Sequence, residues 1–212
     1  MRRFRALQPI ADNTMTALFS TARMYMDFVN GFYVGVDTTD LTGTPTITAG
    51  SGLAVTGAPS TVNLTSTAFS RWFNATAGTF FVEFLQNTSG GGGFGRALEA
   101  SDGTTSNFIS LFYNTNYTYQ VTNATVSQAA IAGTNPGFGA INKAAFRFAA
   151  NDFQLAFNGA LGTADVSGAV PTVSQLTFGN SAAATRELNG FVRRVAYFPT
   201  SLGNSTMQSL TS

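Results

Sequence analysis

The sequence NDFQLAFNGA, at residues 151–160, carries two signals of an antiparallel β-hairpin. Its large apolar side chains at positions 153, 155 and 157 alternate with Gln154 and Ala156, as in a strand with one buried face. The Asn158-Gly159 pair that follows favours a tight turn between two paired strands. This stretch therefore predicts a sheet built from hairpins.

The pattern recurs in VSQLTFGN at 173–180 and in LNGFVRRVAYFP at 188–199. Alternation assigns the residues of the last segment to two faces: Phe191, Arg193, Val195 and Tyr197 to one, and Val192, Ala196 and Phe198 to the other. We expect the first of these faces to be buried. Because Arg193 and Arg194 point to opposite faces in this scheme, at most one of them is expected to meet any given partner. Pro199 ends the strand because it has no N–H for the ladder.

These segments together resemble a known family. The pattern DFxxxxNG, VPxxxxLxxGN, LNGxhRRhxYhP, with h apolar, is matched at Asp152–Gly159, Val170–Asn180 and Leu188–Pro199, and extends to WFNATAGTFFVEF at Trp72–Phe84 and YMDFVNG at Tyr25–Gly31. It is similar to the concanavalin A-like, laminin-G-like jelly-roll domain found in virion proteins of tailed bacteriophages. The resemblance implies an all-β fold: a two-sheet antiparallel jelly-roll sandwich that ends in a short C-terminal helical turn at SLGNSTMQSL.

Other segments support short strands joined by turns. TFFVEFL, at 79–85, is apolar on both faces except for Glu83, as expected of an interior strand, and Glu83 is interpreted as an ion-paired or rim charge. Phe108–Tyr113 and Tyr117–Val121 flank a predicted turn at 114–116. GGGGFG, at 90–95, lacks the Lys-Ser/Thr of a phosphate loop, so we expect a mobile loop tip there.

The N-terminal residues differ in composition from the rest. We predict an anchoring arm at residues 1–22 and a jelly-roll domain at 23–212. The arm holds Arg2, Arg3, Phe4 and Arg5, the candidate residues for anchoring. Without its three arginines the chain has eight basic against ten acidic residues, so the positive charge is concentrated in this arm.

Composition limits the classes of function. Charged residues make up 10% of the chain and the net charge is +1, which favours assembly into a homo-oligomer and gives no basic groove for nucleic acid. There is no cysteine, so no disulfide is needed, and no apolar run is long enough to span a membrane. Because polar residues and Pro9 interrupt any signal-peptide core, we expect a protein made in the host cytoplasm. The family resemblance implies that it is then located in the virion.

The residue types also bear on catalysis. Zero His and zero Cys exclude a Ser-His-Asp triad, cysteine nucleophiles and nearly all zinc sites. The clustered acids Glu-x-Asp-x-x-Glu of β-glucan-cleaving relatives are absent, and Glu83 stands alone on its strand. The chain is therefore predicted not to be an enzyme. A divergent polysaccharide hydrolase is the weaker alternative.

Sugar binding is the remaining site hypothesis, because sugars stack on aromatic rings and bond to Asp and Asn. The candidate residues for glycan binding are Trp72, Asp102, Tyr113, Asn114, Asn116, Tyr117 and Tyr119. Against this, edge-strand tyrosines are often cross-strand pairs and a sole tryptophan is usually core. No cofactor is expected. The resemblance implies that a rim calcium ion could be held by Asp and carbonyl groups, but the pattern does not map onto residues here.

Two functions remain. The first is a structural component of a bacteriophage virion, as a head-decorating, head-fibre or tail-associated protein. It would bind other virion proteins through its arm, display a lectin-like domain and contact host polysaccharide. The second is a free-standing carbohydrate-binding module, which would have no use for an anchoring arm.

Overall fold

The computed structural model describes residues 21–27 and 62–212, together with the backbone of three short strands at 32–34, 46–48 and 52–54. The predicted arm at 1–22, with Arg2, Arg3, Phe4 and Arg5, lies almost wholly outside the described residues. Its anchoring role stays a prediction.

Fifteen strands, two short α-helices and one 3-10 turn at Gly91–Gly93 make up the described elements. The strands are β1 Met24–Asp27, β2 Phe32–Val34, β3 Thr46–Thr48, β4 Gly52–Ala54, β5 Val62–Thr65, β6 Ala77–Gln86, β7 Arg96–Ser101, β8 Phe108–Asn114, β9 Asn116–Asn123, β10 Val126–Ala132, β11 Ile141–Ala149, β12 Asp152–Phe157, β13 Ala160–Leu161, β14 Gln175–Phe178 and β15 Gly190–Phe198. The helices are α1 Ser66–Ser70 and α2 Asn204–Thr211. The predicted all-β class and closing helical turn are confirmed, whereas α1 was not predicted.

The strands form two antiparallel sheets. One has nine strands, in the order β13-β12-β11-β6-β15-β1-β2, with β4 also paired to β15 and β3 to β4. The other has six, in the order β10-β9-β8-β7-β14-β5. The sequence-distant β1 and β15 pair in register from Met24 with Tyr197 to Asp27 with Arg194. The result is the predicted two-sheet sandwich.

The core lies between the two sheets and is rich in aromatic rings. Phe80, Val82 and Phe84 of β6 and Tyr117 and Tyr119 of β9 all belong to it. Burial of one such side chain contributes roughly 2 kcal/mol to folding.

A second apolar cluster explains why β6 is apolar on both faces. Phe81 points away from the sandwich core and packs, with Ala196 and Phe198, under Met207 and Leu210 of α2. The C-terminal helix thus covers the outer face of the nine-stranded sheet.

The closing strand β15 contains a β-bulge that the alternation pattern did not reveal. Val192 pairs with Phe84 but Arg194 pairs with Glu83, so Arg193 is an extra residue. Val192 therefore lies in the core with Val195, whereas Phe191 is only half-buried. The assignment of Phe191 to the buried face and of Val192 to the other was wrong.

The bulge also corrects the prediction for the two arginines. The Nε atom of Arg193 lies 2.7 Å from Oε1 of Glu83, and Nη1 of Arg194 lies 3.0 Å from Oε2. Arg194 also binds Asp27, at 3.1 Å. Both arginines meet the same carboxylate because the extra residue turns Arg193 toward it. The ion-paired interpretation of Glu83 is confirmed.

Candidate functional site

The candidate site is a cleft on the outer face of the six-stranded sheet. Its floor comes from alternate residues of β8 and β9, namely Phe112, Asn114, Thr118 and Gln120, with Ala130 of β10 beside them. Strand pairing sets Phe112 opposite Thr118 and Asn114 opposite Asn116, so the floor is a continuous strip. Because side chains alternate along a strand, the residues between these point into the core.

Two loops form the walls of the cleft. Phe94 comes from the glycine-rich loop before β7, and Arg186 comes from the segment between β14 and β15. Together with the floor they enclose about 370 Å³, which lies in the usual range for small-ligand pockets. The ring of Phe94 is 37% exposed, so part of its surface is open to a ligand.

Arg96 lies flat along the floor. Its guanidinium is 4.7 Å from the centre of the Phe108 ring and 6.0 Å from that of Phe112. It forms an ion pair with the buried Glu99, whose Oε1 accepts a hydrogen bond of 2.8 Å from the N–H of Ala182. Burial, and to a smaller extent the charge of Arg186, lowers the pKa of Arg96 to about 10, so the group remains a cation at neutral pH.

Arg186 is held against the opposite wall. Its guanidinium lies 4.8 Å from the centre of the Phe94 ring, and Nη1 donates a long hydrogen bond of 3.5 Å to the carbonyl of Gly92. Gly92 sits in a 3-10 turn at Gly91–Gly93 with φ +60, and a Cβ there would lie 2.5 Å from Nη1 of Arg186. The glycine run therefore shapes the wall beside the arginine. Its predicted mobility stays a prediction.

The chemistry of the cleft is that of a polar-ligand site. It offers amide groups from Asn114 and Gln120, a hydroxyl from Thr118, a phenyl surface and two guanidinium groups. Amides and hydroxyls match the donor and acceptor pattern of sugar hydroxyls, and rings match the C–H faces of sugars. None of the described residues that line the cleft is acidic.

Three predicted glycan-binding residues lie in the core and are removed from the candidate site. Trp72 is 2% exposed, and its Nε1 donates to the carbonyl of Ala68. Tyr117 stacks on Phe157 with ring centres 4.9 Å apart. Tyr119 is fully buried, and its hydroxyl donates to a backbone carbonyl of β11. None of these rings has a free face for a sugar.

The other predicted residues lie around the cleft or away from it. Asn114 lines it, and Asn116 is exposed opposite Asn114 at the β8–β9 hairpin. Tyr113 packs against Phe138, with ring centres 5.0 Å apart, on the opposite face of β8. The structure thus brings one of the seven predicted residues into the cleft and a second to its edge.

Asp102 lies in the loop between β7 and β8. Its carboxylate accepts hydrogen bonds from the backbone and hydroxyl of Thr104 and from Nδ2 of Asn107. Partial burial raises the pKa of Asp102, but these hydrogen bonds outweigh it and hold the pKa below its ordinary value. The carboxylate is thus used within its own loop.

Four residues of the cleft were not predicted from the sequence: Arg96, Arg186, Phe94 and Gln120. The position of Gln120 could have been predicted from the alternation within β9. Its apolar or aromatic residues at 117, 119 and 121 alternate with polar residues at 118, 120 and 122. Period-two alternation puts the polar set opposite the tyrosines. The tyrosines that were predicted to bind sugar therefore lie on the buried face of this strand. No local pattern indicated that the loops carrying Phe94 and Arg186 meet over β8.

The described residues show no cluster of three or more His, Cys, Asp or Glu side chains that could hold a metal ion. The rim calcium ion implied by the family resemblance stays untested. In the same part of the chain, no helix is both long and apolar enough for a membrane span.

Comparisons with known proteins found similarity in structure but not in sequence. No family model matches the chain, and no curated protein matches it. A solved structure of the Ruminococcus gnavus IT-sialidase CBM40 bound to alpha2,3 sialyllactose has 12% sequence identity and a TM-score of 0.54, and the match covers 66% of this chain and 84% of that chain.

Two larger proteins match over more of this chain. For Trypanosoma rangeli sialidase in complex with a difluoro-KDN compound, identity is 12%, the TM-score is 0.66, and coverage is 90% of this chain but 32% of that chain. For a mutant of HCR/D, identity is 9%, the TM-score is 0.66, and coverage is 91% and 51%. At these identities the likeness shows the fold alone, a β-sandwich consistent with the concanavalin A-like resemblance.

Proposed function

We propose that the chain is a non-catalytic, lectin-like domain that binds host surface polysaccharide and is displayed on a bacteriophage virion. The observation that carries the binding function is the cleft on the outer face of the six-stranded sheet. It combines an exposed phenyl ring with amide, hydroxyl and guanidinium donors in about 370 Å³. A CBM40 module solved with a bound sugar shares the fold, which supports a carbohydrate ligand here.

The binding of a single domain is expected to be weak. The cleft is open to solvent, and three of its eight lining residues, Phe94, Phe112 and Ala130, have no polar side-chain group. Many copies on one particle would raise the overall avidity by orders of magnitude. This reasoning supports a homo-oligomeric, particle-borne protein.

The non-catalytic part of the proposal rests on how the described acids are used. Glu83 and Asp27 are held by Arg193 and Arg194, and Glu99 by Arg96. A glycosidase needs one carboxyl group free to donate a proton and a second to attack or to activate water. These three carboxylates are instead neutralised within the sheets.

The virion context is supported by sequence features. The segments at Asp152–Gly159, Val170–Asn180 and Leu188–Pro199 resemble those of phage virion proteins, and the basic residues near the N-terminus suit docking on a neighbour. The low charge content also favours assembly. Other virion proteins would then be the partners of residues 1–22.

A free-standing carbohydrate-binding module is the second candidate. It is favoured by the match to CBM40, 84% of which this chain covers. The two candidates differ in what residues 1–22 do. Deleting residues 1–22 should leave glycan binding unchanged under either candidate function. The deletion should abolish incorporation into particles only if the protein is a virion component.

The binding function is tested on a glycan array with the full chain displayed as a multimer. Phe94→Ala and Gln120→Ala should each weaken binding. Val166→Ala, at an exposed apolar residue away from the cleft, and Gln175→Ala, at the distant end of the same sheet, are the matched controls. Failure of the wild-type multimer to bind any glycan would overturn the proposal. Release of reducing sugar would overturn its non-catalytic part.

A further inference from the structure

We propose that the cleft selects a carboxylated sugar residue, whose carboxylate is bound between the guanidinium groups of Arg96 and Arg186. The inference rests on the proposed glycan-binding function and adds the chemical class of the ligand. The charges on the described side chains, and not the fold, indicate that class.

The charged side chains of the cleft do not balance one another. Two guanidinium groups line the cleft, and Glu99 is the carboxylate that is paired with one of them. These three groups leave one positive charge without a partner. The two cations also repel each other, and this repulsion contributes to the lowered pKa of Arg96. An anion bound between them would remove that repulsion.

Both guanidinium groups are positioned before a ligand arrives. Arg96 is held by Glu99 and by the ring of Phe108, and its Nε is buried. Arg186 lies over Phe94, and the hydrogen bond given for its guanidinium is the 3.5 Å contact with Gly92. Arg186 therefore has N–H groups left for a ligand, and the conformations of both side chains are already restricted, which reduces the entropy lost on binding.

The shape of the two cations favours a planar anion. Guanidinium groups are planar, and a carboxylate offers two oxygens in one plane that match two parallel N–H groups. The polar floor beside the arginines, from Asn114, Thr118 and Gln120, suits the hydroxyls of the same sugar. A sugar carboxylate fits both parts of the cleft at once. A phosphate-bearing polymer offers charge without that planar match.

The experiment uses the multimeric full chain and paired probes. Carboxylated oligosaccharides, namely sialyllactose and a glucuronic acid oligomer, are compared with the same compounds after reduction of the carboxyl group to an alcohol. A glycerol phosphate polymer is the third probe. We expect at least one carboxylated probe to bind at least tenfold more tightly than its reduced form, with affinity falling as salt is added.

Single variants separate specific recognition of the carboxylate by Arg186 from general attraction of an anion to a positively charged protein. Arg186→Gln should weaken binding of the carboxylated probe by about 10- to 100-fold, as expected for loss of charge-assisted hydrogen bonds. Arg186→Lys should bind this probe more tightly than Arg186→Gln but less tightly than the wild type, since lysine lacks the planar guanidinium group. Arg71→Gln, at an exposed arginine away from the cleft, removes the same charge and should have no effect.

The outcomes distinguish this inference from the proposed function. Equal binding of the carboxylated and reduced probes overturns the inference and leaves glycan binding intact. Preference for the glycerol phosphate polymer, or an equal loss in Arg71→Gln, also overturns it. If no carbohydrate binds at all, both the inference and the proposed function fail.

Discussion

Replacing Glu83 by glutamine should be among the most destabilising polar substitutions in this protein. Its carboxylate is 3% exposed and lies between the guanidinium groups of Arg193 and Arg194, which are 22% and 23% exposed. Glutamine keeps the size of the side chain but leaves part of the arginine charge without compensation.

The magnitude follows from that geometry. Breaking a buried ion pair costs about 3–5 kcal/mol when the remaining charge is fully buried. Here the arginines retain some contact with water, and Arg194 still pairs with Asp27. We therefore expect a loss of about 2–4 kcal/mol in the free energy of unfolding.

Urea unfolding followed by Trp72 fluorescence measures this loss, because Trp72 is the sole tryptophan and lies in the core. The midpoint should fall by roughly 1 M urea. Asp152→Asn is the matched control: its carboxylate also pairs with an arginine, Arg147, but is 40% exposed, so its loss should stay below about 1 kcal/mol. If Glu83→Gln cost no more than Asp152→Asn, the bulge would not bring both arginines to a buried carboxylate and the reasoning would be refuted.

Three further predictions concern stability. Val192→Ala should cost about 2 kcal/mol and Phe191→Ala less, despite the larger ring, because the bulge buries only the valine; chemical denaturation of both variants checks the order, and the reverse order would contradict the bulge. Gly190→Ala should lower the free energy of unfolding by more than about 2 kcal/mol, because its Cβ would collide with the carbonyl of Leu85. If the variant melted at the same temperature as the wild type, the backbones would not approach so closely. Partial burial raises the pKa of Asp102, but hydrogen bonds outweigh it and hold the pKa below its ordinary value. The charge of Asp102 therefore stabilises the fold above about pH 4, and this contribution is lost as pH falls through the lowered pKa. Asp102→Asn should reduce the slope of stability against pH on the acid side, and an unchanged slope would contradict this prediction.

Much of the fold could be predicted because its signals are local. Alternation and turn residues located the β12 strand and its Asn158-Gly159 turn, where both residues have positive φ. The β8–β9 hairpin was located in the same way. The bulge at Arg193 could not be seen, because one inserted residue leaves composition unchanged and shifts the face of every residue before it.

The site was harder to predict because it is assembled from distant segments. Tyrosines indicated the correct hairpin, but the strand turns them inward to pack against Phe157 and Phe146. The cleft depends on Arg186 reaching the loop that carries Phe94, which is a tertiary contact. No pattern within either segment encodes that meeting.

The place of β15 in the nine-stranded sheet has a consequence for folding during synthesis. It lies between β6 and β1, so the ladder that joins Met24 to Tyr197 forms only after all the described strands between them have been made. Until then one edge of β6 and one edge of β1 stay unpaired. Chains with such distant pairings fold slowly, and their open edges can pair with other chains. A ribosome-bound fragment ending before Gly190 should therefore be protease-sensitive and prone to associate.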